Sequence, residues 1–212
     1  MRKVNSSTVT LGASNLSEKQ RANLDFYSTD PRAINHLLVK IPELKYCENI
    51  LEPAAGNGVL ADRFTELTGK KVDMYDILSR REDIIEQDYL ELDCAGKYDL
   101  IITNFPYSEK DKNHPIGFSE LMVKALKDVA PGGYFCSFQR LLHLESQKRY
   151  ERIYSKYKPY RVYIYAFRMN CFANGDMNQK ISGAVAYSWA VWKKGIDGTF
   201  LEDMKFDWIY DK

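Results

Sequence analysis

Apolar residues fall along the chain in two recurring patterns: short runs, and longer stretches in which they stand three and four positions apart. The first suits strands and the second amphipathic helices, so their succession predicts an α/β domain. Ile34, Leu37, Leu38 and Ile41 make a helical stripe that Asp30 can cap and Pro31 can start. Ile50, Leu51 and Glu52 read as a short strand, followed by a loop of small residues, Pro53-Ala54-Ala55-Gly56-Asn57-Gly58, and a helix that begins through Val59, Leu60 and Phe64. Residues 71–76, 84–90 and 98–103 read as further strands, the last of them buried. A helix is expected at 117–129, with Phe118, Leu121, Met122, Ala125 and Leu126 on one face. After the Pro131-Gly132-Gly133 turn come a strand at 134–140, a helix at 144–157 and a strand at 161–167. Residues 169–182 read as a hairpin-like excursion turning at Asn174-Gly175, and 184–192 as the last strand. The polar, aperiodic residues 1–22 are expected to be a flexible segment and 196–212 a short, partly acidic tail, which leaves 23–195 as the domain.

With 212 residues, 45% of them hydrophobic, the chain suffices for one such domain with a full core. A formal charge of +1 means that any contact with nucleic acid must come from a local patch. The candidate patch is 140–168, where eight Lys/Arg face two acids and six tyrosines are interleaved; it reads either as a phosphate-tracking surface or as the solvated face of a helix. Cys47, Cys94, Cys136 and Cys171 lack metal-ligand spacing, and His36, His114 and His143 stand alone, so free thiols in a reducing cytosol are expected and a zinc site is not. No apolar run approaches the roughly eighteen residues of a membrane span, and the polar start lacks a signal peptide's apolar core. The expectation is a soluble, cytoplasmic protein without a membrane partner.

The small-residue loop after the first buried strand lets a ligand approach the backbone, although two glycines there also make an ordinary strand-to-helix turn. It lacks the third glycine of GxGxxG and the Gly-Lys-Ser/Thr of a P-loop. Asp76, at the end of the next strand, is placed to accept hydrogen bonds from both ribose hydroxyls of an adenosine. Asp88 reads either as a partner for the adenine amino group at the same rim or as a surface turn. Asn104-Phe105-Pro106-Tyr107, at the tip of the buried strand, combines an amide oxygen and a backbone carbonyl that can accept from an exocyclic NH2 with a stiffening proline and a stacking ring. The polar residues 108–115 form a candidate flap beyond it.

Taken together these segments resemble the S-adenosylmethionine-dependent methyltransferases, and within them the adenine-N6 DNA methyltransferases of phages and restriction systems. Leu51 to Gly58 is similar to that family's cofactor loop, Asn104 to Tyr107 to its (Asp/Asn/Ser)-Pro-Pro-(Tyr/Phe) motif, Phe26-Tyr27-Ser28-Thr29 to its methionine-contacting segment, and Ser188 to Trp192 to its late strand. Their order is that of the gamma arrangement, and the likeness extends over about residues 25–195. The resemblance implies a Rossmann-like class I methyltransferase fold: a mostly parallel seven-stranded sheet, an antiparallel last strand and helices on both faces. It implies S-adenosylmethionine held by Tyr27, Thr29, Glu52, Pro53, Ala54, Gly56, Gly58, Asp76, Asp88 and Asn104, catalysis by Asn104, Phe105, Pro106 and Tyr107, and no metal. DNA is the expected partner. Phe105, standing where the DNA enzymes usually carry a proline, points to RNA as the alternative. The tetrapeptide also occurs in enzymes that methylate a glutamine of release factors, and a non-enzymatic module that binds nucleic acid is the reading from a different class. Sequence specificity is expected to be low, or to come from the 108–115 flap and the 169–182 excursion, or from a partner subunit; a homodimer is the other expected assembly.

Overall fold

In the computed structural model, which describes residues 27–109, 117–173, 180–181 and 185–210, eight strands form the main sheet. From edge to edge they run β11 (Lys205–Ile209), β7 (Arg161–Tyr165), β10 (Tyr187–Lys193), β6 (Val129–Arg140), β5 (Tyr98–Thr103), β2 (Ile50–Glu52), β3 (Val72–Asp76) and β4 (Ile85–Glu86). Strand β10 is antiparallel to both its neighbours, and every other adjacent pair is parallel. A smaller antiparallel sheet joins β1 (Tyr27–Thr29), β8 (Cys171–Ala173) and β9 (Lys180–Ile181) in the order β1-β8-β9.

Successive strand residues point to opposite faces, so each apolar run feeds two cores at once. Ile50, Leu100, Ile102, Phe138, Trp189 and Val191 pack with α1 (Arg32–Lys40) and α2 (Val59–Thr68) on one side. Leu51, Ile101, Phe135, Ala190 and Trp192 pack with α3 (Phe118–Asp128) on the other. Helices therefore cover both faces, as expected. Trp189 ties the first core together by donating its indole N–H toward the Ala33 carbonyl and the Tyr165 hydroxyl, each at 3.1 Å. Asp30 accepts the Arg32 backbone N–H at 3.0 Å and so starts α1. Among the described residues no helix is long and apolar enough to cross a membrane.

The sheet has eight strands rather than seven because residues 205–209, expected in the tail, pair in parallel with β7. The helix expected at 144–157 is broken. Leu141–Leu144 forms a 3-10 turn, Ser146 has a positive φ of 116°, and only Gln147–Arg149 is α-helical before a wide π turn at Tyr150–Tyr154. The extra residue in that turn lets Ile153 and Tyr154 both reach the second core. The strand expected at 84–90 shrinks to β4, because Asp88 uses its carboxylate to cap the 3-10 turn Tyr89–Glu91. Strands β8 and β9 are arms of the expected excursion; its Asn174-Gly175 turn, residues 110–115 of the flap and the 1–22 segment lie outside the described residues.

Candidate active site

The small-residue loop is held from two sides. Ala55 donates its N–H to the Tyr75 carbonyl at 2.9 Å, Gly58 to the Ala55 carbonyl at 2.7 Å, and Gly56 to Asp76 Oδ2 at 2.7 Å. Gly56 and Gly58 have φ of 59° and 78°, a region costly to residues with a Cβ. Asp76 is buried, and its second oxygen accepts the Leu78 N–H at 3.0 Å with Arg80 at 3.6 Å. Glu52 turns away from the loop: its carboxylate accepts the Ala61 N–H of α2 at 2.9 Å, and burial raises it well above the usual carboxylate range. Its side chain thus supports the start of α2 instead of lining the loop. Pro53 is buried and Ala54 half-buried beneath it. Asp88 sits beside the rim, since Gln87 donates its N–H to the Asp76 carbonyl at 2.9 Å. One of its oxygens is committed to the Leu90 N–H at 2.8 Å.

Arg81 was not foreseen. In the sequence the charged run Arg80-Arg81-Glu82-Asp83 reads as a solvated face, yet the Arg81 guanidinium binds the Asn57 carbonyl at 2.9 Å and pairs with Asp62 and Asp83. It thereby ties the loop to the first turn of α2.

Strand β1 joins this loop to the tip of β5. Ser28 Oγ lies 3.2 Å from Asn57 Oδ1, and Asn104 Nδ2 donates to Thr29 Oγ1 at 2.8 Å. The two tips, far apart in sequence, are thus tethered to adjacent residues of one strand. With its Nδ2 held by Thr29, Asn104 leaves Oδ1 buried and without a hydrogen-bond donor among the described residues. An unmet buried acceptor is costly unless something else supplies the donor.

Phe105 points inward, 1% exposed, stacked on Tyr89 with centroids 5.9 Å apart and tilted against Phe135 at 6.3 Å. Pro106 is exposed. Tyr107 has the Arg140 guanidinium 4.7 Å from its ring centroid and the His143 ring edge-on at 4.8 Å. Its hydroxyl is buried without a hydrogen-bond partner among the described residues, and burial followed by the neighbouring Cys171 and Tyr187 pushes the phenol well above its ordinary range. Of the basic segment, Arg140 and Arg149 are drawn inward, Arg149 onto Glu109 at 3.0 Å, whereas Lys148, Arg152, Lys156, Lys158 and Arg168 are exposed. The backbone of Tyr27 pairs with Ala173.

His143 is 4% exposed, and burial, with Arg149 and Arg140 adding to it, lowers its imidazole to about 3. An unfolded histidine takes up its proton near pH 6.5, so the stability that the neutral ring lends is complete above that pH and is lost as pH falls toward 3, at about 1.4 kcal/mol per unit. Between pH 7 and 5 the wild type should lose about 2 kcal/mol that His143→Phe does not. Urea unfolding of both proteins at both pH values measures it; Glu52, whose raised value acts in the opposite sense, cancels in the comparison. Equal losses in both proteins would contradict the assignment.

No protein-family model and no curated protein sequence matches the chain. Solved structures do. A Listeria monocytogenes protein assigned as a class I S-adenosylmethionine-dependent methyltransferase superposes with a TM-score of 0.63 at 15% identity, over 87% of this chain and 66% of that one. A Pyrococcus horikoshii protein assigned as an RNA methyltransferase gives 0.59 at 14% identity, over 88% and 94%. The type IIG restriction endonuclease BpuSI gives 0.57 at 17%, over 79% of this chain and 25% of the endonuclease. The chain has the Rossmann-like class I methyltransferase fold.

Proposed function

We propose that the chain binds S-adenosylmethionine and transfers its methyl group to the exocyclic N6 of adenine in DNA. The observation that carries this reading is the buried, unmet Oδ1 of Asn104, oriented by Thr29 on the strand that also reaches the small-residue loop. That loop presents glycines where a ligand approaches, and each Asp76 oxygen keeps a lone pair beyond its one backbone hydrogen bond. Residues 53–58 with Tyr27 and Thr29 would hold the cofactor, Asp76 its ribose hydroxyls, and the free oxygen of Asp88 its adenine; Glu52 would act through α2. When bound, the cofactor supplies an electrophilic methyl group on a sulfonium. Asn104 Oδ1 and the Phe105 carbonyl accept the two amine hydrogens of the target, which directs the nitrogen lone pair outward. Positioning supplies most of the rate, because the leaving group is neutral and the amine sheds its proton after transfer. A duplex base would be flipped out at a cost of a few kcal/mol. It would stack on Tyr107.

Incubation with tritium-labelled S-adenosylmethionine and unmodified DNA or RNA tests the proposal. Label recovered as N6-methyladenine in DNA supports it, label only in RNA transfers it to the alternative, and label in neither, with cofactor bound, favours a binding module. Thr29→Val, which removes the partner of the Asn104 amide while keeping its shape, should lower kcat about tenfold at saturating cofactor. An unchanged kcat would show that Thr29 does not orient the amide.

A further inference from the structure

Strand β11 ends the sheet, and among the described residues no strand pairs with its outer side. Lys205 donates its N–H to the Tyr160 carbonyl at 3.2 Å and Ile209 accepts from Ala166 at 3.0 Å, so Lys205, Asp207 and Ile209 turn their backbone groups toward β7. In a parallel ladder the alternate residues face away, which leaves Phe206 offering N–H and C=O and Trp208 its C=O at the edge, the Trp208 N–H being given to Asp207 Oδ1 at 2.8 Å. The same residues are 51% and 57% exposed, and Met204 and Tyr210 extend the stripe. An open, aromatic edge is a template for another strand.

We propose that β11 pairs antiparallel with β11 of a second copy of this chain, about a two-fold axis at Phe206. The charges on the strand select both occupant and register. An axis at Asp207 sets that carboxylate against its own copy, and an axis at Lys205 sets ammonium against ammonium; like charges directly opposite are destabilising. An axis at Trp208 places Asp207 opposite the apolar Ile209. At Phe206, on one side of the ribbon, Lys205, which pairs with Asp203 at 3.0 Å within the chain, faces Asp207 of the second copy, which pairs with its own Lys40 at 2.6 Å, and Asp207 faces Lys205 in return, so the contact would join these pairs into one network. On the other side Phe206 meets Phe206, and each Met204 meets a Trp208, a favourable sulfur–aromatic pair. The backbone fits the same register at its centre: the two Phe206 residues exchange N–H···O bonds, while the Met204 N–H is already given to Glu202 and the Trp208 N–H to Asp207 Oδ1, each at 2.8 Å.

Light scattering across a concentration series tests the pairing on the intact chain. The wild type is expected to dimerise, Lys205→Glu or Asp207→Lys alone to raise the dissociation constant tenfold or more, and Lys205→Asp combined with Asp207→Lys to bring it back to within about threefold of wild type. Circular dichroism confirms that each variant is folded. A second readout needs no variant. Of the three tryptophans Trp189 and Trp192 are fully buried, so a blue shift of emission on concentration reports Trp208. A wild type that stays monomeric at every concentration, a dimer indifferent to the charge reversals, or dimerisation without the shift overturns the proposal.

Discussion

Replacing Asn104 by Ala should lower turnover by roughly 10²–10³-fold while changing cofactor affinity far less. The expectation follows from where the side chain stands. Its amide nitrogen is already engaged by Thr29 Oγ1 at 2.8 Å, and its oxygen is the buried acceptor without a donor. Truncation removes that acceptor and frees the Thr29 hydroxyl, but leaves the Gly56–Asp76 contact of the loop untouched. Single-turnover transfer, measured beside cofactor binding by calorimetry, separates the two effects. Asn104→Asp keeps an acceptor and should recover part of the rate. If Asn104→Ala reduced cofactor binding as much as turnover, the residue would belong to the cofactor's grip and the amine-orienting role would fall.

Phe105→Ala should cost about 3–5 kcal/mol of stability, the range for a buried phenylalanine whose site cannot collapse. Tyr89 and Phe135 flank the ring, and Tyr89 is itself anchored through its hydroxyl to Asp128 at 2.9 Å. The cavity would open beneath the tip that carries Asn104. In a domain of this size the loss lowers Tm on the order of 10 °C. A shift of a degree or two would mean that the ring is dispensable to the core. The same packing gives a reason for phenylalanine where the resemblance leads one to expect proline: the tetrapeptide's second residue fills a core site between Tyr89 and Phe135.

Long apolar stretches were legible because one physical cause dominated them. Residues 98–103 and 187–193 are buried on both faces, so their apolar runs marked them as strands. The stripes of α1 and α3 repeat at the helical period because each helix covers one side of the sheet. The loop with Gly56 and Gly58, and the Asn104 tip, were visible because backbone geometry and chemistry restrict those positions to few residue types. Strand β11 was not legible: charges interrupt it, and of its five residues only Ile209 is buried. Strand β1 is three residues long, and its partner β8 lies in the far half of the chain, beyond any local pattern. Arg81 and Asp88 were misjudged or left open because a side chain's direction is decided by the turn it sits in. Asp88 caps a 3-10 turn and Arg81 folds back on the Asn57 carbonyl, and neither choice leaves a period in the sequence.

The pairing of β1 with β8 also bears on how the protein is made. The Thr29–Asn104 and Ser28–Asn57 contacts depend on a strand whose own ladder partner, residues 171–173, lies far downstream, and Trp189 closes on Ala33 across 156 positions. Such distant closures carry the loop entropy that slows folding. On a ribosome the segment around Thr29 emerges long before the strand it docks on, so the nascent polypeptide holds its glycine loop and its Asn104 tip unjoined until residues 171–173 have followed.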